Sequence, residues 1–147
     1  METLLLLDTD INMTAARNFH EWQKEIRSGN PEAVSRFYTE NAILIPAIQG
    51  KIRKGRPEIL AFYKQFLEHV PSFTNLINHT ETVFEHENRV LMYRHFGTFR
   101  ISFPENSMDG RSSQPPFVTI ITFLWKLDSK DGSWRILHHQ SSPLTPS

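Results

Sequence analysis

The residues best suited to chemistry lie near the end of the chain, in Asp131-Gly132-Ser133-Trp134-Arg135-Ile136-Leu137-His138-His139-Gln140-Ser141-Ser142. Two adjacent imidazoles titrate close to neutral pH and can move protons or bind metal. The segment reads as a strand launched by Asp131-Gly132 and closed by Pro143. Strict alternation puts Trp134, Ile136, His138 and Gln140 on one face, and Arg135, Leu137, His139 and Ser141 on the other. Neighbours on opposite faces cannot hold one ion together. The His-Glu-x-x-His spacing of a helical metal site is also absent. No metal or cofactor is therefore expected. Ser141 and Ser142 face apart in the same way, so spacing yields no nucleophile with its base.

Arg94 supplies a second candidate, on a strand face shared with Met92, Phe96 and Thr98. A guanidinium among apolar neighbours needs an anion or several acceptors. Joined by His138, Tyr38, Tyr63 and Gln140, it would clamp a small polar or carboxylate ligand. The same set supports an enzyme, with His138 as acid or base and Arg94 holding an oxyanion. The plainer reading pairs Arg94 with Glu81 or Glu85 on the neighbouring strand. The run Lys51, Arg53, Lys54, Arg56 reads as a solvated turn, since no aromatics interleave it.

The elements that must position these residues follow from period and punctuation. Asn12 or Thr14 can cap a first helix carrying Phe19, Trp22 and Ile26. Ser28-Gly29-Asn30-Pro31 ends it and starts a short second helix with Val34, Phe37 and Tyr38 inward. Ala42-Ile43-Leu44-Ile45 is a short strand, and Ile52 belongs to another. Ile59, Phe62, Tyr63, Phe66, Leu67 and Val70 trace a third helix that Pro71 stops. Strands are predicted over Leu76–His86, Arg89–Phe103 and Phe117–Leu127, the first two joined by a tight turn at Glu87-Asn88. Phe117–Leu127 is apolar on both faces, which calls for a second covering layer, most simply a subunit interface. Pro104–Pro116 is a Ser-, Gly- and Pro-rich loop expected to be mobile. Three helices followed by a meander of strands give an α+β domain over residues 11–143, flanked by tails at 1–10 and 144–147.

The chain of 147 residues has sixteen basic and sixteen acidic side chains and no cysteine. Without a basic stripe it is a poor partner for nucleic acid or an anionic membrane. The Leu4–Leu7 run is far too short for a membrane span, and Glu2 and Asp8 bracket it. A cytoplasmic protein is expected.

This element order resembles the nuclear transport factor 2-like (SnoaL-like) superfamily, a cystatin-like cone of helices on a curved antiparallel sheet. Within it the chain is most similar to the calcium/calmodulin-dependent protein kinase II association domain and its free-standing SgcJ/EcaC-type relatives. Trp22 before Ser28-Gly29-Asn30-Pro31 carries the resemblance, with Phe37-Tyr38-Thr39-Glu40-Asn41-Ala42-Ile43-Leu44-Ile45-Pro46, the Glu58–Leu67 helix and the closing double-His strand. The resemblance implies a homodimer through the sheet, or a larger ring, with a pocket in each cone. It does not imply kinase activity, since no glycine-rich phosphate loop is present. Relatives carry pocket arginines, and Arg94 matches one such position. Other such positions fall on Phe123 and around Gln140 or Ser141. The acid of ketosteroid-isomerase-like relatives falls on Leu44 or Ile45, so that proton shuttle is not expected.

Overall fold

Apolar residues at helical spacing build α1 (Leu7–Ser28), which buries Trp22 and Ile26 completely. Gly29 leaves it with φ 75°, a left-handed conformation that glycine adopts without steric cost. Asn30 then caps α2 (Pro31–Ser35), its side-chain oxygen accepting the Ala33 N–H at 3.2 Å. The computed structural model describes residues 7–47, 50–104 and 115–144. Leu4–Leu6, most of the 104–116 loop and residues 145–147 lie outside that set. From Leu7 onward the expected N-terminal tail is already helical.

Two further elements precede the long strands. Tyr38, expected at the end of the second helix, instead opens β1 (Tyr38–Ile45), which pairs with β2 (Arg53–Lys54). The next helix, α3 (Gly55–Phe66), buries Ile59 and Tyr63 and tightens into a 3₁₀ turn at Leu67–His69. Val70 does not join its apolar stripe. It is 58% exposed, with φ 52°, a left-handed conformation that closes the 3₁₀ turn just before Pro71.

β3 (Ser72–His86) and β4 (Arg89–Ser102) form a hairpin. Glu87 and Asn88 both have positive φ, the turn that matches strand twist. β5 (Phe117–Leu127) and β6 (Trp134–Pro143) complete one sheet in the order β2-β1-β6-β5-β4-β3. All neighbours run antiparallel except β1 and β6, so the sheet is mixed rather than wholly antiparallel. The three helices pack on one face, giving the α+β architecture expected.

The face under the helices carries Tyr93, His95 and Phe99 from β4, and Ile121, Phe123 and Trp125 from β5. The opposite face carries Arg94, Phe96, Ile120 and Leu124. Phase changes in β6. Trp125 faces Ile136 and Leu124 faces His138, so Leu137 is one residue too many. Such a bulge shifts every later side chain to the other face. His139 and Ser141 therefore turn inward with Ile136, and His138 turns outward.

A second bulge bends β3 at Leu76, between the pairs Asn75–Phe99 and Ile77–Thr98. The Asn75 amide spans it, donating to the carbonyls of Ile77 at 2.8 Å and Thr98 at 3.1 Å. The Ile77 carbonyl consequently sits over Gly97, where a Cβ would lie 1.8 Å from its oxygen. Gly97→Ala is expected to cost about 3 kcal/mol of stability by forcing the bulge open, measured by chemical denaturation.

Candidate functional site

Three elements bring one polar chain together beneath α1. The inward stripe of α3 presents Tyr63, the first residue of β1 is Tyr38, and β6 delivers His139 and Ser141 after its bulge. The Tyr38 and Tyr63 hydroxyls lie 2.5 Å apart, and Tyr38 Oη is 2.8 Å from His139 Nδ1. On the far side of the ring, His139 Nε2 is 3.3 Å from Ser141 Oγ. Arg56 holds the Tyr38 backbone in place, donating from Nε and Nη2 to its carbonyl at 3.1 and 2.7 Å.

Proton counting defines what this chain can do. A neutral imidazole has one N–H and one acceptor nitrogen. If Tyr63 donates to Tyr38 and Tyr38 to Nδ1, then Nε2–H donates to Ser141, whose own proton is free. If Ser141 donates to Nε2, every bond reverses and the Tyr63 proton is free. Either end can therefore meet an acceptor oxygen, and the His139 tautomer records which end does.

Electrostatics keep the chain neutral. Burial holds the His139 imidazole down to about 3, with a smaller push from the adjacent His138. Burial raises both phenols well above their ordinary value, outweighing the Trp22 indole N–H that favours their charged forms. That N–H is itself buried, without a hydrogen-bond partner among the described residues. At neutral pH the group offers fixed hydrogen bonds and no charge.

Tyr63, His139 and Ser141 also line a half-open cleft whose cavity volume is about 30 Å³, with about 370 Å³ of empty space once the solvent at its mouth is included. Its other walls are apolar or aromatic, among them Leu44, Phe62, Phe66, Phe73, Ile101 and Phe117. A mostly apolar wall with a few convergent polar groups is the usual make-up of a small-molecule site. None of its lining residues is charged.

The residues singled out from the sequence do not all meet here. Tyr38 and Tyr63 do. Arg94 lies across the sheet, exposed, in a 2.6 Å ion pair with Glu81. Gln140 is exposed on that same outer face, and His138 is half-buried there, opposite Leu124. The physical reason is the Leu137 bulge, which exchanges the two histidines. His139 and Ser141 take the inward places that strict alternation gives to His138 and Gln140.

A second buried imidazole, His95, also escapes a reading from sequence. It packs among Phe19, Phe99 and Phe123, with Nε2 3.4 Å from Asn75 Oδ1. Burial lowers it to about 4. Among the described residues no group of three or more His, Cys, Asp or Glu could hold a metal ion. Among the described residues no helix is long and apolar enough to cross a membrane.

Both buried histidines couple folding to acid. Folded, His95 and His139 stay neutral down to about 4 and about 3; unfolded, each takes a proton near 6.5. Their contribution is therefore complete above the unfolded value and lost as pH falls through it toward the folded values. Near pH 5 the unfolding free energy is expected to fall by about 2.5 kcal/mol per pH unit, with uptake of about two protons. Denaturation curves measured between pH 7 and pH 4 check this. A flat profile would mean that neither imidazole is sealed from water.

Comparisons with known proteins agree with this architecture. The family model of the SnoaL-like domain matches residues 17–134. A structure described as a calcium/calmodulin-dependent protein kinase II association domain from Xanthomonas campestris superposes with a TM-score of 0.78. It has 21% identity and covers 91% of this chain and 88% of its own. A nuclear transport factor 2-like superfamily protein from Salmonella enterica serovar Typhimurium gives 0.75 at 12% identity, covering 95% of each chain. An uncharacterised protein with a cystatin-like fold from Caulobacter vibrioides gives 0.68 at 16% identity, covering 94% and 90%. No curated protein matches the chain. With most of its length matched by the family model and its fold shared with these structures, the chain belongs to the SnoaL-like family, with a nuclear transport factor 2-like, cystatin-like fold.

Proposed function

We propose that this chain is a self-associating module whose pocket holds a small, largely apolar molecule through one oxygen atom, without transforming it. The observation that carries the reading is the hydrogen-bonded series Tyr63–Tyr38–His139–Ser141, which ends at an aromatic pocket. Tyr63 and Ser141 are the groups that touch ligand. Tyr38 and His139 position them and pass the direction of donation from one end to the other. An uncharged relay suits a carbonyl or hydroxyl oxygen. An imidazole held near 3 is a weak base at neutral pH, which supports binding over acid–base catalysis. The enzyme set of His138 and Arg94 lies on the other face of the sheet.

Self-association is supported by that other face. Ile77 and Ile120 are 54% and 44% exposed, beside half-buried Phe96 and Leu124. Apolar side chains exposed on the face of a sheet call for a covering layer. A second copy supplies one, as the similarity to a structure described as an association domain suggests. Localisation in the cytoplasm is part of the same reading, and a sequence without cysteine fits a reducing compartment.

Two measurements test this. In calorimetric titrations, 4-hydroxycinnamyl alcohol is expected to bind about tenfold more tightly than cinnamyl alcohol, and Tyr63→Phe to erase most of the difference. Consumption of a carbonyl or hydroxyl compound, lost in His139→Gln, would support an enzyme instead. Light scattering at micromolar concentration is expected to give the mass of two chains or more. Leu124→Asp should give the mass of one chain with alcohol binding retained, and a monomeric unmodified protein would contradict the self-association.

A further inference from the structure

The basic run Lys51 to Arg56 is not one solvated turn. Lys51 and Lys54 are exposed, and Arg56 is spent on the Tyr38 carbonyl. Arg53 behaves differently. It stands opposite Leu44 in the antiparallel β1–β2 pair, and directly opposed residues share a face. Leu44 is 1% exposed and forms part of the pocket wall, so Arg53 leaves β2 on the pocket side of the sheet. Its guanidinium carbon lies 5.5 Å from the centre of the Phe62 ring, itself a pocket wall.

One nitrogen of the partly exposed Arg53 also lacks an acceptor. Among the described residues its buried Nε has no hydrogen-bond partner and no carboxylate lies within ion-pair distance. Glu58, the nearest acid in sequence, accepts the Lys54 backbone N–H at 2.9 Å. The ring face of Phe62 offsets part of the cost of desolvating a cation but accepts no directed N–H bond. A buried guanidinium nitrogen without an acceptor is expensive to keep, and the group that relieves it is an anion.

We propose that Arg53, outside the pocket lining but stacked on its wall residue Phe62, is the anion-recognising residue at the pocket rim. Its ligand is a small apolar carboxylate that presents its charge to Arg53 and a second oxygen to the Tyr63–Ser141 end. A planar carboxylate fits because guanidinium nitrogens form a flat fork that matches two oxygens at once. The inference rests on the reading that the pocket binds a ligand, and adds to it the class of that ligand. Arg94, already paired with Glu81 on the outer face, takes no part.

Calorimetry with 4-hydroxycinnamate and 4-hydroxycinnamyl alcohol separates the two ideas, because these probes differ only at the charged end. The expected result is at least tenfold tighter binding of the acid. Arg53→Gln should bring the ratio close to one, Arg53→Lys should leave it intermediate, and Arg94→Gln should leave it unchanged. Equal binding of acid and alcohol by the unmodified protein overturns the role of Arg53 while the pocket reading stands. Binding of neither probe overturns both. Thermal melting without ligand gives an independent readout, since Arg53→Met removes an unsatisfied group while keeping apolar contact with Phe62. Its midpoint should equal or exceed that of the unmodified protein. A fall of several degrees would make Arg53 a structural strut and overturn the proposal.

Discussion

Leu137 and His138 together face Leu124 across the β5–β6 ladder, and the contents of the pocket depend on that extra residue. Without it, His138 and Gln140 would point under the helices, and His139 would face outward. With it, His139 reaches Tyr38, and Ser141 reaches the pocket wall. β1 accommodates the change on its side: its parallel pairing with β6 is irregular between Tyr38 and Ile43. Tyr38 is thereby aligned with Ile136 and Leu44 with His139, so both β1 side chains are buried on the same face as the imidazole.

Burial then determines chemistry. Tyr38, Tyr63 and His139 lie where charge is strongly disfavoured, and each is held in its neutral form. A neutral chain of donors and acceptors can reverse its direction without creating an ion, which adapts one pocket to either polarity of ligand oxygen. It is a poor engine for proton abstraction at neutral pH. The arginine that would balance a ligand charge comes instead from β2, a two-residue strand at the edge of the sheet.

Much of the fold was legible because it rests on local chemistry. Gly29-Asn30-Pro31 states the break between α1 and α2, the Ile59–Leu67 stripe states α3, and Glu87-Asn88 states the hairpin. The candidate site was legible only in part. Tyr38 and Tyr63 are large inward residues that any packing of these elements would bring close. The exchange of His138 for His139 was not visible, because a bulge shows only in the pairing of two strands far apart in the sequence. Arg94 could be read as a ligand clamp or, more plainly, as the partner of Glu81 or Glu85, and the β3–β4 register bears out the pair with Glu81. Arg53 looked like part of a charge run, because a run of cations does not reveal which one turns inward.

The measurement closest to the central claim is a nitrogen-15 NMR titration of the His139 ring. The account predicts a neutral imidazole throughout the range from pH 8 to about pH 4, consistent with a folded value near 3. It also predicts that the shifts of the two ring nitrogens change when 4-hydroxycinnamyl alcohol is added, as the chain settles on one direction. An imidazole that titrates near 6.5 and ignores the alcohol would contradict both the sealed chain and its role in binding.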